Sequence, residues 1–446
     1  MALSGVEIFK YLPKTNCKKC GHPTCLAFAM KLAAKQASLD ACPDASADAK
    51  KVLGEAAAPP IRDITIGAGD KAVKVGGEIC LFRHEKKFFN PCAFAVSIKS
   101  SEAGDAAAKK IEMVKTSEID RVGQKLRVDA IAVTDDGGDA AKFASVVKQV
   151  VDGAPGVPVI LVSANPAVIE AGIAHCADKK PLICGATADN ADAMAKIAKE
   201  KKASLVVSAA GLEALEALSD KVKAMGVEDL VLDSGARKAK DMIEQYTIIR
   251  RAAIKKNFKP LGFPIISFAE RGDSLSEAMA AAIGVMKYAS IIVVNSVEKW
   301  KMLALLSLRQ NIYTDPQVPM QVKQDIYKIG EATDKSPLMI TTNFSLSYFI
   351  VRGEVENSKV PSWIAVMDNE GLSVLTAWAA GKFTASKIAT FIQESGVEKS
   401  VTTKELIIPG YVAVLSGALE EKLPGWKITV GPREANQIPT FLKGRA

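Results

Sequence analysis

The chain has 446 residues, enough for more than one hydrophobic core, because single cores stop growing at about 250–300 residues. Apolar residues make up 48% and charged residues 24%, the balance of a soluble globular protein, and no run approaches the roughly 18 consecutive apolar residues of a membrane-spanning helix. The net charge of +8 is mild for this length, and lysines such as Lys109, Lys110, Lys196, Lys199, Lys201 and Lys202 lack interleaved aromatics, which argues against nucleic-acid binding and suits an acidic protein partner better.

The first ten residues show no basic segment followed by an apolar one and a cleavage site, so no export signal is read and the expected location is the cytoplasm. A short helix is expected around Val6–Tyr11. The stretch Cys17-Lys18-Lys19-Cys20-Gly21-His22-Pro23-Thr24-Cys25, completed by Cys42-Pro43, then spaces four thiols as C-x2-C-x4-C-x16-C. Four Cys thiolates are the usual ligands of an iron-sulfur cluster, and a closing Cys-Pro occurs in ferredoxin-type runs. Structural zinc also takes four Cys but prefers two separated C-x2-C knuckles, and ordinary buried thiols are the blander reading; a [4Fe-4S] cluster fits this spacing best. Residues Leu26–Leu39 read as a helix with Thr24 as its N-cap, which puts Cys25 in the first turn, where free N–H groups and the positive helix end favour an anionic centre. Lys14, Lys18 and Lys19 either assist it or are simply solvated. A helix over Ala45–Ala56 and a linker at Ala56-Ala57-Ala58-Pro59-Pro60 close a cluster domain of residues 1–57.

Two short strands, Asp63–Gly67 and Val73–Val75, read as a hairpin. Eight apolar, largely β-branched runs follow, each succeeded by an amphipathic helical stretch: Ala93–Ile98, Asp129–Thr134, Val157–Ser163, Pro181–Gly185, Ser204–Ser208, Asp229–Asp233, Phe263–Phe268 and Ser290–Asn295. Nearly continuous apolar strands alternating with helices match a closed parallel (β/α)8 TIM barrel, assigned to residues 61–325. Several strands end in polar residues, among them Thr134-Asp135-Asp136, Ser163-Ala164-Asn165, Asp233-Ser234-Gly235 and Glu270-Arg271, where a barrel enzyme would keep its active site. His84 and His175 do not stand at those ends, so the barrel reads as a scaffold or docking domain rather than a catalyst. Cys80, Cys92, Cys176 and Cys184 lack ligand spacing and read as buried reduced thiols.

A helix over Val297–Leu308 leads into Arg309–Met320, whose two prolines mark the second boundary, with a third α/β domain over 326–446. Its expected strands are Leu338–Thr342, Tyr348–Val351, Trp363–Met367, Leu406–Ile408 and Ile428–Val430, with helices at Thr384–Glu394 and Val412–Glu421. Three stretches after strands are rich in small and hydroxyl residues: Thr341–Ser347, Asp368–Thr376 and Gly431–Glu434. Open α/β sheets bind ligands outside the carboxyl ends of their strands, and such loops let backbone approach a large flat ligand, although ordinary turns use the same residues.

The thiol turn with Cys42-Pro43, the barrel, and the runs Thr341-Thr342-Asn343-Phe344-Ser345-Leu346-Ser347, Asp368-Asn369-Glu370-Gly371-Leu372-Ser373-Val374-Leu375-Thr376 and Val430-Gly431-Pro432-Arg433-Glu434 together resemble the large (gamma) subunit of the corrinoid iron-sulfur proteins of the acetyl-CoA (Wood-Ljungdahl) pathway. The resemblance covers essentially the whole chain. It implies an N-terminal [4Fe-4S] domain on Cys17, Cys20, Cys25 and Cys42, a TIM barrel, and a C-terminal Rossmann-like corrinoid-binding domain. Carried over by position, the corrinoid contacts fall on Thr341, Thr342, Asn343, Ser347, Gly371, Leu372, Ser373, Val374, Leu375, Thr376, Gly431, Arg433 and Glu434. The implied function is methyl carriage: a methyltransferase component whose cobalt, as Co(I), accepts a methyl group from methyltetrahydrofolate and donates it to the nickel site of acetyl-CoA synthase. The implied partners are a small (delta) subunit forming a heterodimer, a methyltetrahydrofolate:corrinoid methyltransferase, acetyl-CoA synthase/CO dehydrogenase, and a reductive activator or ferredoxin. The only histidines are His22, His84 and His175, so the C-terminal domain has no imidazole for cobalt, and the cluster is expected to return Co(II) to Co(I). The competing reading is a ferredoxin-like module fused to a pterin-dependent methyltransferase barrel.

Overall fold

The computed structural model describes residues 4–33, 37, 39–46, 49, 53 and 59–445. The expected Ala45–Ala56 helix lies mostly outside these residues, as do 56–58 of the linker. The chain divides into two compact units, one of Met1–Glu118 with Arg127–Tyr313 and the other of Ile119–Leu126 with Thr314–Ala446.

In the first unit the helix Gly5–Tyr11 starts at a capping box, Ser4 Oγ accepting from Glu7 N–H while Glu7 accepts from Ser4 N–H. The next helix, Cys25–Ala33, packs against it around Ile8, Leu12, Phe28 and Ala29, and these form a small core of their own. Strands β1 (Ile64–Ile66) and β2 (Val73–Val75) pair as the expected antiparallel hairpin. Arg62 N–H donates to Gly262 O, Gly67 N–H donates to Lys180 O, and Arg62 pairs with Asp229 at 2.9 Å, all residues just ahead of barrel strands. The hairpin therefore covers the amino end of the barrel, with Ile64, Ile66 and Val75 packed into its interior.

Eight parallel strands build that barrel. After β3 (Ala93–Lys99) the chain makes a hairpin, β4 (Ile119–Arg121) and β5 (Gln124–Leu126), which belongs to the second unit. Then follow β6 (Ala130–Thr134), β7 (Val159–Val162), β8 (Leu182–Ala186), β9 (Ser204–Ser208), β10 (Leu230–Asp233), β11 (Ile266–Phe268) and β12 (Ile291–Val294). Their order is β10-β9-β8-β7-β6-β3-β12-β11, and the ring is nearly closed by one bridge, Leu232 to Ile265, with Leu232 N–H donating to Pro264 O at 2.8 Å. All eight expected strands are present. Val157–Ser163 and Phe263–Phe268 are cut back furthest, to Val159–Val162 and Ile266–Phe268, because Pro158 and Pro264 have no N–H for a ladder. Small inward residues (Ala93, Ala95, Ala130, Ala132) face larger ones (Ile160, Leu182, Ile266, Ile291), so the interior is filled.

The second unit is a five-stranded sheet of order β13-β15-β14-β16-β17, from β13 (Asp325–Ile329), β14 (Leu338–Thr342), β15 (Ser362–Met367), β16 (Glu405–Ile408) and β17 (Lys427–Val430). Only the edge strand β13 is antiparallel. Separate apolar clusters cover the two faces. Thr314–Gln324, given to the barrel domain from sequence, packs here instead: Ser345 N–H donates to Met320 O and Val322 N–H to Asn343 O, both at 2.9 Å.

Two expectations need correction. Tyr348–Val351 is not a strand but part of the helix Ser345–Ser358, whose buried Tyr348 and Val355 stand two turns apart while Ile350 is exposed. A four-residue β-branched run cannot by itself be told from one helical turn. The helix expected at Val412–Glu421 is a 3-10 stretch, Gly410–Leu415, kinked at Val412, followed by a helix at Ser416–Lys422.

Candidate functional site

Two places in the fold gather the residues singled out by sequence. The first is the thiol turn. Thr24 caps the helix that Cys25 opens, its Oγ1 accepting from Ala27 N–H at 3.0 Å. Ahead of it Lys14, Asn16 and Lys18 all have positive φ (60°, 49°, 62°), and Gly21 follows at 79°. Left-handed conformations at non-glycine residues cost about 1 kcal/mol or more each, and clusters of them mark functional loops. Asn16 holds this one: its Oδ1 accepts from Cys25 N–H at 2.8 Å and its own N–H lies 3.4 Å from Cys25 Sγ. Lys19 pairs with Asp44 at 3.1 Å, tying the turn to the segment after Cys42.

Cys25 and Cys42 are buried, Cys20 is half-buried and packs on the same apolar cluster, and Cys17 is exposed. Burial pushes the Cys42 thiol above its usual pKa against the effect of a hydrogen bond from the Asp44 backbone, and the charges of Cys20 and Cys17 add to the rise. The four thiols thus share one neighbourhood. Among the described residues, however, no group of three or more His, Cys, Asp or Glu side chains stands ready-made as a metal site. In donor chemistry the turn fits an iron-sulfur centre: soft sulfur donors only, on an apolar bed, at the amino end of a nine-residue helix.

The second place is a cleft of about 250 Å³ at the carboxyl ends of β14, β16 and β17. Thr341, Ser347, Val374, Gly431, Arg433 and Glu434 line it, joined by Ile350, Pro409 and Tyr411, which sequence reasoning passed over. The signal for the last two was available: Pro409-Gly410-Tyr411 follows a strand just as the three chosen loops do. Gly410 N–H donates to Pro432 O at 3.0 Å and Gly431 N–H to Ile408 O at 2.9 Å, lacing the two loops together. A Cβ on Gly410 would lie 2.5 Å from Gly431 O, so only glycine permits this approach. Tyr411 donates its phenol proton to Glu434, a bond that raises the phenol pKa.

The other seven expected contacts do not line the cleft. Thr342 lies on the opposite face of the sheet, its Oγ1 buried without a hydrogen-bond partner among the described residues, as is Asn369 Oδ1. Asn343 is 2% exposed and spends its amide inside the protein: Oδ1 accepts from Asn369 and Gly371 N–H at 2.9 and 3.0 Å, and Nδ2 donates to Asp368 and Gln321 at 2.9 and 3.3 Å. Gly371 turns at φ 73°, and Leu372, Ser373, Leu375 and Thr376 surround the short helix Val374–Ala379, with Leu375 and Trp378 exposed. An apolar cleft with an adaptable polar rim, above a sheet with four parallel strands, fits one edge of a large flat ligand.

The barrel's carboxyl end offers less chemistry. Asp135 accepts from Ser163, Gly137 and Gly138; Asp136 accepts from Ser100 and Ser101, which lowers its pKa; Asp233 is held by Arg237; and Arg271 donates to backbone carbonyls. These side chains satisfy one another and brace their own loops.

The family model described as "CO dehydrogenase/acetyl-CoA synthase delta subunit" matches residues 63–442, and one described as "Putative Fe-S cluster" matches 12–43. The corrinoid/iron-sulfur protein large subunit of Moorella thermoacetica is 45% identical over 99% of this chain and 99% of its own length. The acetyl-CoA decarbonylase/synthase complex subunit gamma of Methanothermobacter thermautotrophicus is 34% identical over 99% of each. Among solved structures, dihydropteroate synthase from Thermus thermophilus is similar with a TM-score of 0.39 and 16% identity, over 56% of this chain and 100% of that one.

Proposed function

The chain belongs to the family of corrinoid/iron-sulfur protein large subunits and acetyl-CoA decarbonylase/synthase gamma subunits, and from that membership we propose that it is a methyl carrier, a methyltransferase component rather than a stand-alone catalyst. When bound, a corrinoid supplies Co(I) as the nucleophile for a methyl group passing from methyltetrahydrofolate, through a separate methyltransferase, to the nickel site of acetyl-CoA synthase, and a [4Fe-4S] cluster supplies the electron that returns Co(II) to Co(I). In this reading Cys17, Cys20, Cys25 and Cys42 hold the cluster, and Asn16 fixes Cys25 in the turn. The second unit is the Rossmann-like corrinoid domain: Thr341, Ser347, Val374, Gly431, Arg433 and Glu434 touch the ligand from the cleft, and Asn343 positions the Asn369–Gly371 turn. With no histidine outside His22, His84 and His175, the second unit offers cobalt no imidazole, which favours the low-valent metal.

The observation that carries the proposal is the 45% identity to a corrinoid/iron-sulfur protein large subunit over 99% of both chains. Asp135, Asp136 and Asp233 at the barrel end are engaged by their own loops, while Ser234 Oγ and Ser267 Oγ are buried without a hydrogen-bond partner among the described residues, and in this reading the barrel is a scaffold that meets the small (delta) subunit in a heterodimer. The further partners in this reading are the methyltransferase, acetyl-CoA synthase/CO dehydrogenase, and a reductive activator or ferredoxin, in the cytoplasm. Among the described residues no helix is long and apolar enough to cross a membrane. The test is a metal and cofactor inventory of the complex purified without oxygen. Iron, cobalt and a corrinoid absorption band are expected; iron without cobalt would overturn the proposal in favour of the ferredoxin-like fusion.

A further inference from the structure

The two helices that carry the thiol turn leave one apolar face uncovered. Gly5 is buried against Met30, and a Cβ there would stand 2.3 Å from Met30 Sδ, so the glycine lets the methionine lie across the first helix. Beside this contact Val6 is 56%, Met30 51% and Leu26 42% exposed. Leu26 and Met30 are one helical turn apart, and Leu26 follows Cys25 directly, so the apolar strip runs from Val6 to the edge of the thiol turn. Tyr11 adds a fourth exposed apolar side chain at the end of the first helix.

Cations rim the strip. Lys10 lies one turn beyond Val6, Lys14 sits 5.7 Å over the Phe9 ring, and Lys18 stands in the thiol turn; all three are exposed. Among the described residues these three form no ion pair, whereas Lys19 is held by Asp44. Glu7, exposed beside Val6 and hydrogen-bonded by the N–H and hydroxyl of Ser4 at 2.7 and 2.8 Å, keeps its negative charge, so the three lysines leave the rim positive on balance. An apolar centre with a rim that is positive on balance is the build of a transient interface, in which the centre gives contact and the rim gives steering.

Resting on the reading of the thiol turn as a redox centre, we infer that this Val6–Leu26–Met30 face docks an acidic one-electron carrier protein. The balance is one electron: the carrier is oxidised by one, the centre held by the four cysteines is reduced by one, and no proton or group moves. Proximity decides the face, because Leu26 is covalently next to a proposed ligand. Sign decides the partner, because lysines outnumber the carboxylate around the strip three to one.

The test uses the intact, iron-loaded complex and a small acidic ferredoxin as the probe. Binding is followed by fluorescence anisotropy of labelled ferredoxin across salt concentrations, and reduction by stopped-flow. The wild type should bind more weakly as salt rises. The variant Lys10→Glu/Lys14→Glu should lose about 10-fold or more in affinity and association rate at low salt and lose most of its salt dependence. Met30→Glu should weaken binding at all salt concentrations. Both variants should keep their iron and be reduced to completion by excess dithionite. Unchanged ferredoxin binding in both variants, with iron retained, overturns this inference alone and leaves the face to contacts within the protein. A purified complex without iron overturns the reading of the thiol turn, and this inference with it.

Discussion

Two asparagines carry much of the order at the residue scale, one in each candidate site, and each works by closing a loop whose backbone groups would otherwise be unmatched. Asn343 is the stronger case, since it is buried and makes four hydrogen bonds from one amide. Asn343→Ala leaves the N–H groups of Asn369 and Gly371 without an acceptor, at about 1–3 kcal/mol for a buried unsatisfied group. The expected loss is about 2–3 kcal/mol in denaturant unfolding of the complex, and a loss under about 0.5 kcal/mol would show that the turn does not depend on this amide.

Cysteines divide just as sharply. Burial pushes Cys92 and Cys176 up to about 12 and Cys184 higher still, and Cys80 is also raised, chiefly by burial. A thiol with a pKa near 12 is only about 0.01% thiolate at pH 8, and the thiolate is the species that reacts. Each unit of rising pH increases that fraction tenfold until the pKa is reached, so reactivity of these thiols climbs with pH through the alkaline range. In iron-free protein at pH 8, iodoacetamide should label Cys17 and Cys20 first and leave Cys80, Cys92, Cys176 and Cys184 unlabelled until denaturant is added. Peptide mass spectrometry showing early labelling of Cys184 would contradict the packed barrel interior.

Elements show where the sequence was readable. The barrel strands were legible because both of their faces are buried, which leaves continuous apolar, β-branched runs that no exposed helix imitates. Edge β13 and the hairpin β4–β5 escaped notice because they are short, half-exposed and charged: Asp325-Ile326-Tyr327-Lys328-Ile329 and Gln124-Lys125-Leu126 carry no such run. For the cleft, strand ends identify the loops but not the face on which each side chain falls. Alternation sends Thr341 into the cleft and Thr342 away from it.

The hairpin also supplies a test with two opposite signs. Its turn, Val122-Gly123, has φ of 53° and 70°, the pair of left-handed residues that a type I′ turn requires. Valine is poorly suited to that conformation, and asparagine is well suited, so Val122→Asn should raise stability by about 0.5–1 kcal/mol. Gly123→Ala should lower it by about 1–3 kcal/mol, because its Cβ would lie 2.4 Å from the Phe349 ring as well as straining the backbone. Thermal unfolding of the two variants distinguishes this from a hairpin that contributes nothing, for which both shifts would be near zero.

At the scale of the whole molecule, separate cores set what depends on what. The thiol turn rests on Ile8, Leu12, Phe28 and Ala29, the barrel interior is another cluster, and the second unit is covered by two more. In the proposed reading, loss of the metal should therefore be felt at the thiol turn. Cys20→Ser removes one donor of the four while leaving the barrel and the cleft with every contact they have. The expected variant loses its iron and the charge-transfer absorption of the cluster, keeps the corrinoid band, and unfolds its main calorimetric transition within about 2 °C of wild type, since Cys20 packs only on the small cluster of the thiol turn and the barrel and second-unit cores keep every contact. With the corrinoid reduced chemically it should accept methyl groups at the wild-type rate, and after oxidation it should fail to recover with a protein electron donor. Recovery at the wild-type rate would mean that electrons reach cobalt by a route that bypasses Cys17, Cys20, Cys25 and Cys42, and a main transition lowered by about 10 °C would mean that these cysteines brace the fold more than they serve electron transfer.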